Sequence, residues 1–97
     1  MKPLVIVNPK AGGGRHGHTL EQLEKTIERA LGSVDFAQTE RPRHAVDLAK
    51  SAAIEGREVV VATGGDGSIH EVVNGLMLAK EQGHEKTALG IIGRGTG

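Results

Sequence analysis

Val59-Val60-Val61-Ala62-Thr63-Gly64-Gly65-Asp66-Gly67-Ser68-Ile69-His70-Glu71 decides how the rest of the chain is read. The β-branched run at its start suits a strand buried on both faces. It breaks into three glycines around an aspartate, then opens at once into helically spaced Val72, Val73, Leu76, Met77 and Ala79. Glycine lets backbone N–H groups turn toward a ligand, and a helix N-terminus adds partial positive charge at the same place. Strand, loop and helix thus make a phosphate site from backbone alone. Asp66 does not suit plain anion binding, because two anions that close repel unless Mg²⁺ or a transferred proton lies between them. An aspartate in that place fits phosphoryl transfer; a simple turn cap is the alternative.

Outward from this stretch the chain alternates strands and helices. Leu4-Val5-Ile6-Val7 is a short apolar strand, followed by a glycine-rich loop from Asn8 to His18. Thr19-x-x-Gln22 reads as a capping box for a helix with Leu20, Leu23, Ile27, Ala30 and Leu31 on one face, stopped by Gly32. Val34 to Gln38 is a weaker strand, and Thr39 to Arg43 a polar loop with Pro42 near the start of a second helix. That helix buries Ala45, Val46, Leu48, Ala49, Ala52 and Ala53 and ends at Gly56. Glu58 to Thr63 is the third strand, Ser68-x-x-Glu71 a second capping box, and Ala88 to Ile92 a fourth strand. The order βαβαβαβ predicts an α/β fold: a mostly parallel, Rossmann-like three-layer sheet with helices on its faces. Ligands of such sheets sit at the carboxyl ends of strands, where all three glycine-rich loops fall, after Val7, Thr63 and Ile92. A closing loop directly after a buried strand is unusual for a whole domain, so residues 1–97 are expected to be the N-terminal nucleotide-binding piece of something longer.

Composition narrows the functional classes. The 97 residues allow one small core, and twelve basic against twelve acidic side chains give no net attraction to nucleic acid or anionic membrane. The absence of cysteine excludes disulfides and thiolate metal sites and fits a cytoplasmic protein. Met1-Lys2-Pro3 leads into a strand rather than a signal peptide, and no apolar run approaches the roughly 20 residues of a membrane span. Phe36 is the one aromatic residue among fifteen glycines, which leaves little material for a deep acyl-chain pocket.

Several motifs compete on the first loop. Gly12-x-Gly14-x-x-Gly17, with Glu40 after the second strand, fits a dinucleotide fingerprint, but four residues part the first glycine from the strand. Gly12-x-x-x-x-Gly17-His18-Thr19 approaches a Walker A loop, with histidine where the phosphate-binding lysine belongs. Asn8-Pro9 is either a turn or an amide that holds a nucleotide, with Lys10 and Arg15 as added charge. His70 reads as a helix-surface residue, and His16 and His18 lack the companions of a metal cage, so no protein-held metal site is expected.

Asn8-Pro9-Lys10-Ala11-Gly12, then Gly64-Gly65-Asp66-Gly67-Ser68-Ile69-His70-Glu71-Val72-Val73-Asn74-Gly75-Leu76, then Gly95-Thr96-Gly97 together resemble the diacylglycerol kinase catalytic domain family, which includes diacylglycerol, sphingosine, ceramide and bacterial lipid kinases. The three blocks match in order and spacing along the whole chain. A GGDG loop is shared with NAD kinases and phosphofructokinases; the continuation Glu71-Val72-Val73-Asn74-Gly75-Leu76 favours the lipid kinases. The resemblance implies an ATP site lined by Asn8, Pro9, Lys10, Ala11, Gly12 and Thr39. Gly64, Gly65, Asp66, Gly67, Ser68, Ile69, His70 and Glu71 would cradle phosphates, and Thr96 would close the site. Asp66 matches the family's essential aspartate, acting as base or Mg²⁺-linked group. Ser68 stands for the commoner threonine, His70 for an asparagine of many bacterial members, and Gly93 for a frequent proline. The resemblance also implies a second, β-sandwich domain that contacts the lipid, and peripheral membrane association of the whole protein. The expected function is transfer of the ATP γ-phosphoryl group to a lipid hydroxyl, with Mg²⁺. A kinase of a soluble acceptor, like NAD kinase, and a non-catalytic nucleotide-binding module are the alternatives. An exposed sheet edge leaves homo-oligomerisation open.

Overall fold

The computed structural model describes residues 1–8 and 20–93. Four strands, β1 (Leu4–Val7), β2 (Asp35–Gln38), β3 (Val59–Gly64) and β4 (Ala88–Gly93), are joined by α1 (Leu20–Leu31), α2 (His44–Glu55) and α3 (Asp66–Glu81). The sheet runs β2-β1-β3-β4 with every pair parallel, as the alternating pattern predicts. The chain steps one way from β1 to β2 and then crosses back to β3. With crossovers of one hand, that reversal puts α1 on one face and α2 and α3 on the other.

The two faces have separate cores. Val5, Val7 and Val61 pack with Val34 and with Ile27 of α1. On the opposite face Leu4, Ile6, Val60 and Ala62 pack with Ala45, Ala49 and Ala52 of α2 and Val72 of α3. β1 and β3 feed both cores, which is why they read as unbroken apolar runs. The alanines of α2 let α3 approach closely, and Gly75 sets the limit. A Cβ at Gly75 would lie 2.3 Å from the Val46 carbonyl oxygen and 2.8 Å from the Ala49 Cβ. That contact fixes how the two helices sit above the sheet.

Gly32 and Gly56 end α1 and α2 as expected, at φ +86° and +97°, values that glycine adopts without strain. Other details differ. Among the described side chains of α1 only Ile27 is fully buried; Ala30 is exposed and Leu31 is 47% exposed, because a lone helix on a small sheet face presents only a narrow line to it. Met77, on the apolar face expected for α3, is 55% exposed and lines a groove with Leu89 of β4. β2 starts at Asp35, with Val34 buried just ahead of it, and β3 reaches Gly64. Residue Thr19 of the first capping box lies outside the described residues. No described helix is long and apolar enough to cross a membrane.

The amino edge of the sheet is tied by one side chain. Arg57 Nη1 donates to the Lys2 carbonyl and to Asp35 Oδ2, each at 2.8 Å, and Nε donates to Glu55 Oε1 at 3.1 Å. The Arg57 carbonyl in turn accepts from the Thr87 hydroxyl. The segments entering β1, β2 and β4 therefore converge on a single residue.

Candidate functional site

At the carboxyl edge the ends of β1 and β3 lie side by side, at the point where the strand order reverses. Thr63 is buried and its hydroxyl donates to the Ile6 carbonyl at 3.0 Å, locking the end of β3 to β1. Gly64, at φ +107°, then bends the chain out of the sheet, opposite Gly93 at the end of β4. Gly65 is extended and serves as the N-cap of α3, with no side-chain cap hydrogen bond among the described residues. The first helical bond runs from the Ile69 N–H to the Gly65 carbonyl at 3.2 Å. The N–H groups of Asp66, Gly67 and Ser68 precede that bond and face the loop.

The Ser68-x-x-Glu71 capping box therefore does not form. Gly65 takes the cap, and Asp66 enters the first turn, where a carboxylate is favoured by the helix dipole. Ser68 and Glu71, both half-buried, line a cleft instead. A Cβ at Gly65 or Gly67 would meet nothing within 4 Å. Among the described residues no packing demands glycine there. The described residues leave the space above the loop open, and a ligand lying on the backbone is what a side chain would obstruct.

The cleft holds about 310 Å³, at the lower end of the range for small-molecule sites. Ile6 and Ala45 give it apolar lining; Asn8, Ser68 and Glu71 face the segment Thr39–Pro42 across it. That segment is held by its own bonds. The Thr39 N–H donates to the Val7 carbonyl at 2.9 Å, continuing the strand pairing. The Glu40 N–H donates to His44 Nδ1 at 2.9 Å, and the His44 N–H donates to the Arg41 carbonyl at 3.1 Å. Arg41 pairs with Asp47 of α2 at 3.1 Å. Arg43, the N-cap of α2, is left-handed at φ 67°, ψ 4°, uncommon for a residue with a side chain.

The structure brings Asn8, Thr39, Ser68 and Glu71 into one cleft, with the Gly64–Gly67 loop and the exposed Asp66 on the same sheet edge. Ile69 packs against the α2–α3 core, and His70 is exposed and does not line the cleft. Pro9, Lys10, Ala11, Gly12 and Thr96 lie outside the described residues. Sequence reasoning missed Thr63, Arg41, Pro42 and His44. A hydroxyl ending an apolar strand just before glycine was the available signal for Thr63. Among the described residues no group of three or more His, Cys, Asp or Glu could hold a metal ion. What the loop offers chemically is space over two glycines that no described residue fills, the first-turn N–H groups of α3 and one carboxylate able to face a phosphate-bound cation.

Known proteins resemble this chain along most of its length. The chain is 36% identical over 92 residues to a diacylglycerol kinase of Staphylococcus haemolyticus, a match covering 95% of this chain and 27% of that protein. It is 35% identical over 78 residues to human sphingosine kinase 1, covering 76% of this chain and 20% of that one. A crystal structure of a diacylglycerol kinase from Bacillus anthracis superposes with a TM-score of 0.73 at 26% identity, over 98% of this chain and 33% of that one. The chain thus spans no more than about a third of the length of these relatives. The diacylglycerol kinase catalytic domain model matches residues 2–97, and the chain belongs to that family.

Proposed function

We propose that this chain binds ATP and is the nucleotide-holding part of a lipid kinase. The observation that carries the reading is the Gly64–Gly67 loop, with its uncapped α3 N-terminus and open space over Gly65 and Gly67, beside a nucleoside-sized cleft. Charge orients the nucleotide. Glu40 and Glu71 line the cleft and would repel phosphates, while Arg41 is already paired with Asp47. Base and ribose therefore belong between Thr39–Pro42 and Ser68–Glu71, and the phosphates at the first-turn N–H groups of α3, where the helix dipole favours anions.

Asp66 then stands beside the triphosphate. Bound Mg²⁺ would neutralise charge on the β- and γ-phosphates, with Asp66 as the carboxylate on this chain placed to hold it or to accept the proton of the attacking hydroxyl. Catalysis of phosphoryl transfer is mostly positioning, so the lipid acceptor and its orientation fall to residues outside 1–97, and this chain alone binds nucleotide without turning over. The names of the relatives, diacylglycerol kinase and sphingosine kinase, support a lipid hydroxyl as acceptor.

The test is transfer of labelled γ-phosphate from ATP by the whole protein to vesicles containing diacylglycerol or sphingosine. Asp66→Asn is expected to lower kcat by about 100-fold or more while ATP KM stays within a few-fold. Unchanged turnover in that variant would remove Asp66 from the chemistry. Labelling of a soluble acceptor in place of either lipid would remove the lipid.

A further inference from the structure

The bond between the Glu40 N–H and His44 Nδ1 stands apart from the rest of the cleft. Strand pairing of β2 to β1 ends at Thr39, whose N–H reaches the Val7 carbonyl. Glu40 is the next residue, and from here to Pro42 the chain forms one wall of the cleft. Its N–H donates to the imidazole of His44, 2.9 Å away and four residues on. His44 is itself anchored: it is the first residue of α2, its N–H bonds to the Arg41 carbonyl, and Ala45 and Val46 after it are buried.

The chain makes this return through Arg43, which is left-handed at φ 67°, a conformation disfavoured for a residue with a Cβ. Non-glycine backbone held there inside a candidate site marks a shape the surroundings enforce. Nδ1 is the acceptor of this bond.

We infer that His44 is a positioning residue for the nucleoside: by accepting the Glu40 N–H it sets the wall against which base and ribose lie, without touching the phosphates. The inference rests on the nucleotide reading of the cleft. A wall already in its bound shape costs less to order when ligand arrives, so its loss weakens the nucleoside end of the ligand and spares the phosphate end.

The experiment measures binding of Mg²⁺–ATP and of Mg²⁺–tripolyphosphate, which has no nucleoside, to the wild type, His44→Ala and His44→Asn, with amide exchange of Glu40 in each. Wild type is expected to show a protected Glu40 amide that ATP protects further. His44→Ala is expected to lose that protection and bind ATP roughly five- to tenfold more weakly, with tripolyphosphate affinity unchanged. His44→Asn, whose side-chain oxygen can replace Nδ1 as acceptor, is expected to restore both. Equal weakening of both ligands, or unchanged ATP affinity in His44→Ala, overturns the inference and leaves the nucleotide site standing. A Glu40 amide in the wild type that exchanges freely with and without ATP overturns it without need of any variant. Wild type that binds tripolyphosphate but gains nothing from adenosine overturns the reading of the cleft, and this inference with it.

Discussion

The two edges of the sheet are built in opposite ways. At the amino edge Arg57 gathers Lys2, Asp35, Glu55 and Thr87 into one network, and its side chain is only 15% exposed. At the carboxyl edge the β3–α3 connection has a glycine N-cap and, among the described residues, no capping side chain and nothing within 4 Å above Gly65 and Gly67. One edge spends its polar groups on itself; the other leaves backbone donors to be met from outside. If the proposed ligand lies at the carboxyl edge, where ligands of parallel sheets sit, stability and ligand binding can be altered separately.

The comparison breaks most completely at Gly75, which supports both edges by setting the distance between α2 and α3. Gly75→Ala is expected to cost roughly 3 kcal/mol or more, since the obstructing atoms include backbone, and thermal unfolding would read it. A loss under about 1 kcal/mol would mean the helices separate freely.

Arg57→Ala sharpens the contrast from the amino side. It is expected to lower stability by less than Gly75→Ala does, from the lost hydrogen bonds to Asp35 and the Lys2 carbonyl, while Mg²⁺–ATP affinity stays unchanged in a binding titration. Its pH dependence has a definite sign. The hydrogen bond from Arg57 holds the Asp35 carboxyl below its ordinary 3.8, so the stability it gives is complete above that value and drains away as pH falls through the lowered one. The gap between wild type and Arg57→Ala should accordingly be widest above about pH 4 and narrow in acid, as read by denaturant unfolding across that range.

Gly65→Ala is the mirror experiment. The backbone there has an ordinary φ of −91°, and a methyl group meets nothing, so stability should stay within about 0.5 kcal/mol. Affinity for Mg²⁺–ATP should fall about tenfold or more, because the methyl group occupies the space a phosphate needs. A variant that binds ATP normally would detach the loop from the phosphates. The smallest effect is expected at Arg43→Gly, which relieves the left-handed strain and should raise stability by about 0.5–1 kcal/mol in the same unfolding assay.

Much of the architecture is legible in the residues. Leu4–Val7 is a strand to the residue, and Gly32 and Gly56 mark helix ends because few other residues turn the chain left-handed so cheaply. The strand order is less so, since nothing local in β2 states that α2 will carry the chain back past β1. Ser68 and Glu71 misled because a capping box is a local pattern, and Gly65 captured the helix start three residues earlier. Gly75 reads as a weak point in a helix until Val46 and Ala49 are seen beneath it. His44 is invisible for a similar reason: its partner is a backbone N–H, reached only through the turn at Arg43.

The central claim is that one nucleotide spans the carboxyl edge, phosphates at Gly65–Gly67 and nucleoside at Thr39–Glu71. An amide NMR titration of this chain with Mg²⁺–ATP, and separately with NAD⁺, tests it most directly. The expected result is saturable ATP shifts at Gly65, Asp66 and Gly67 together with Thr39, Glu40 and Ser68, and no such set with NAD⁺. Shifts of the Gly12–Gly17 loop by NAD⁺, with Gly65–Gly67 unmoved by ATP, would contradict it.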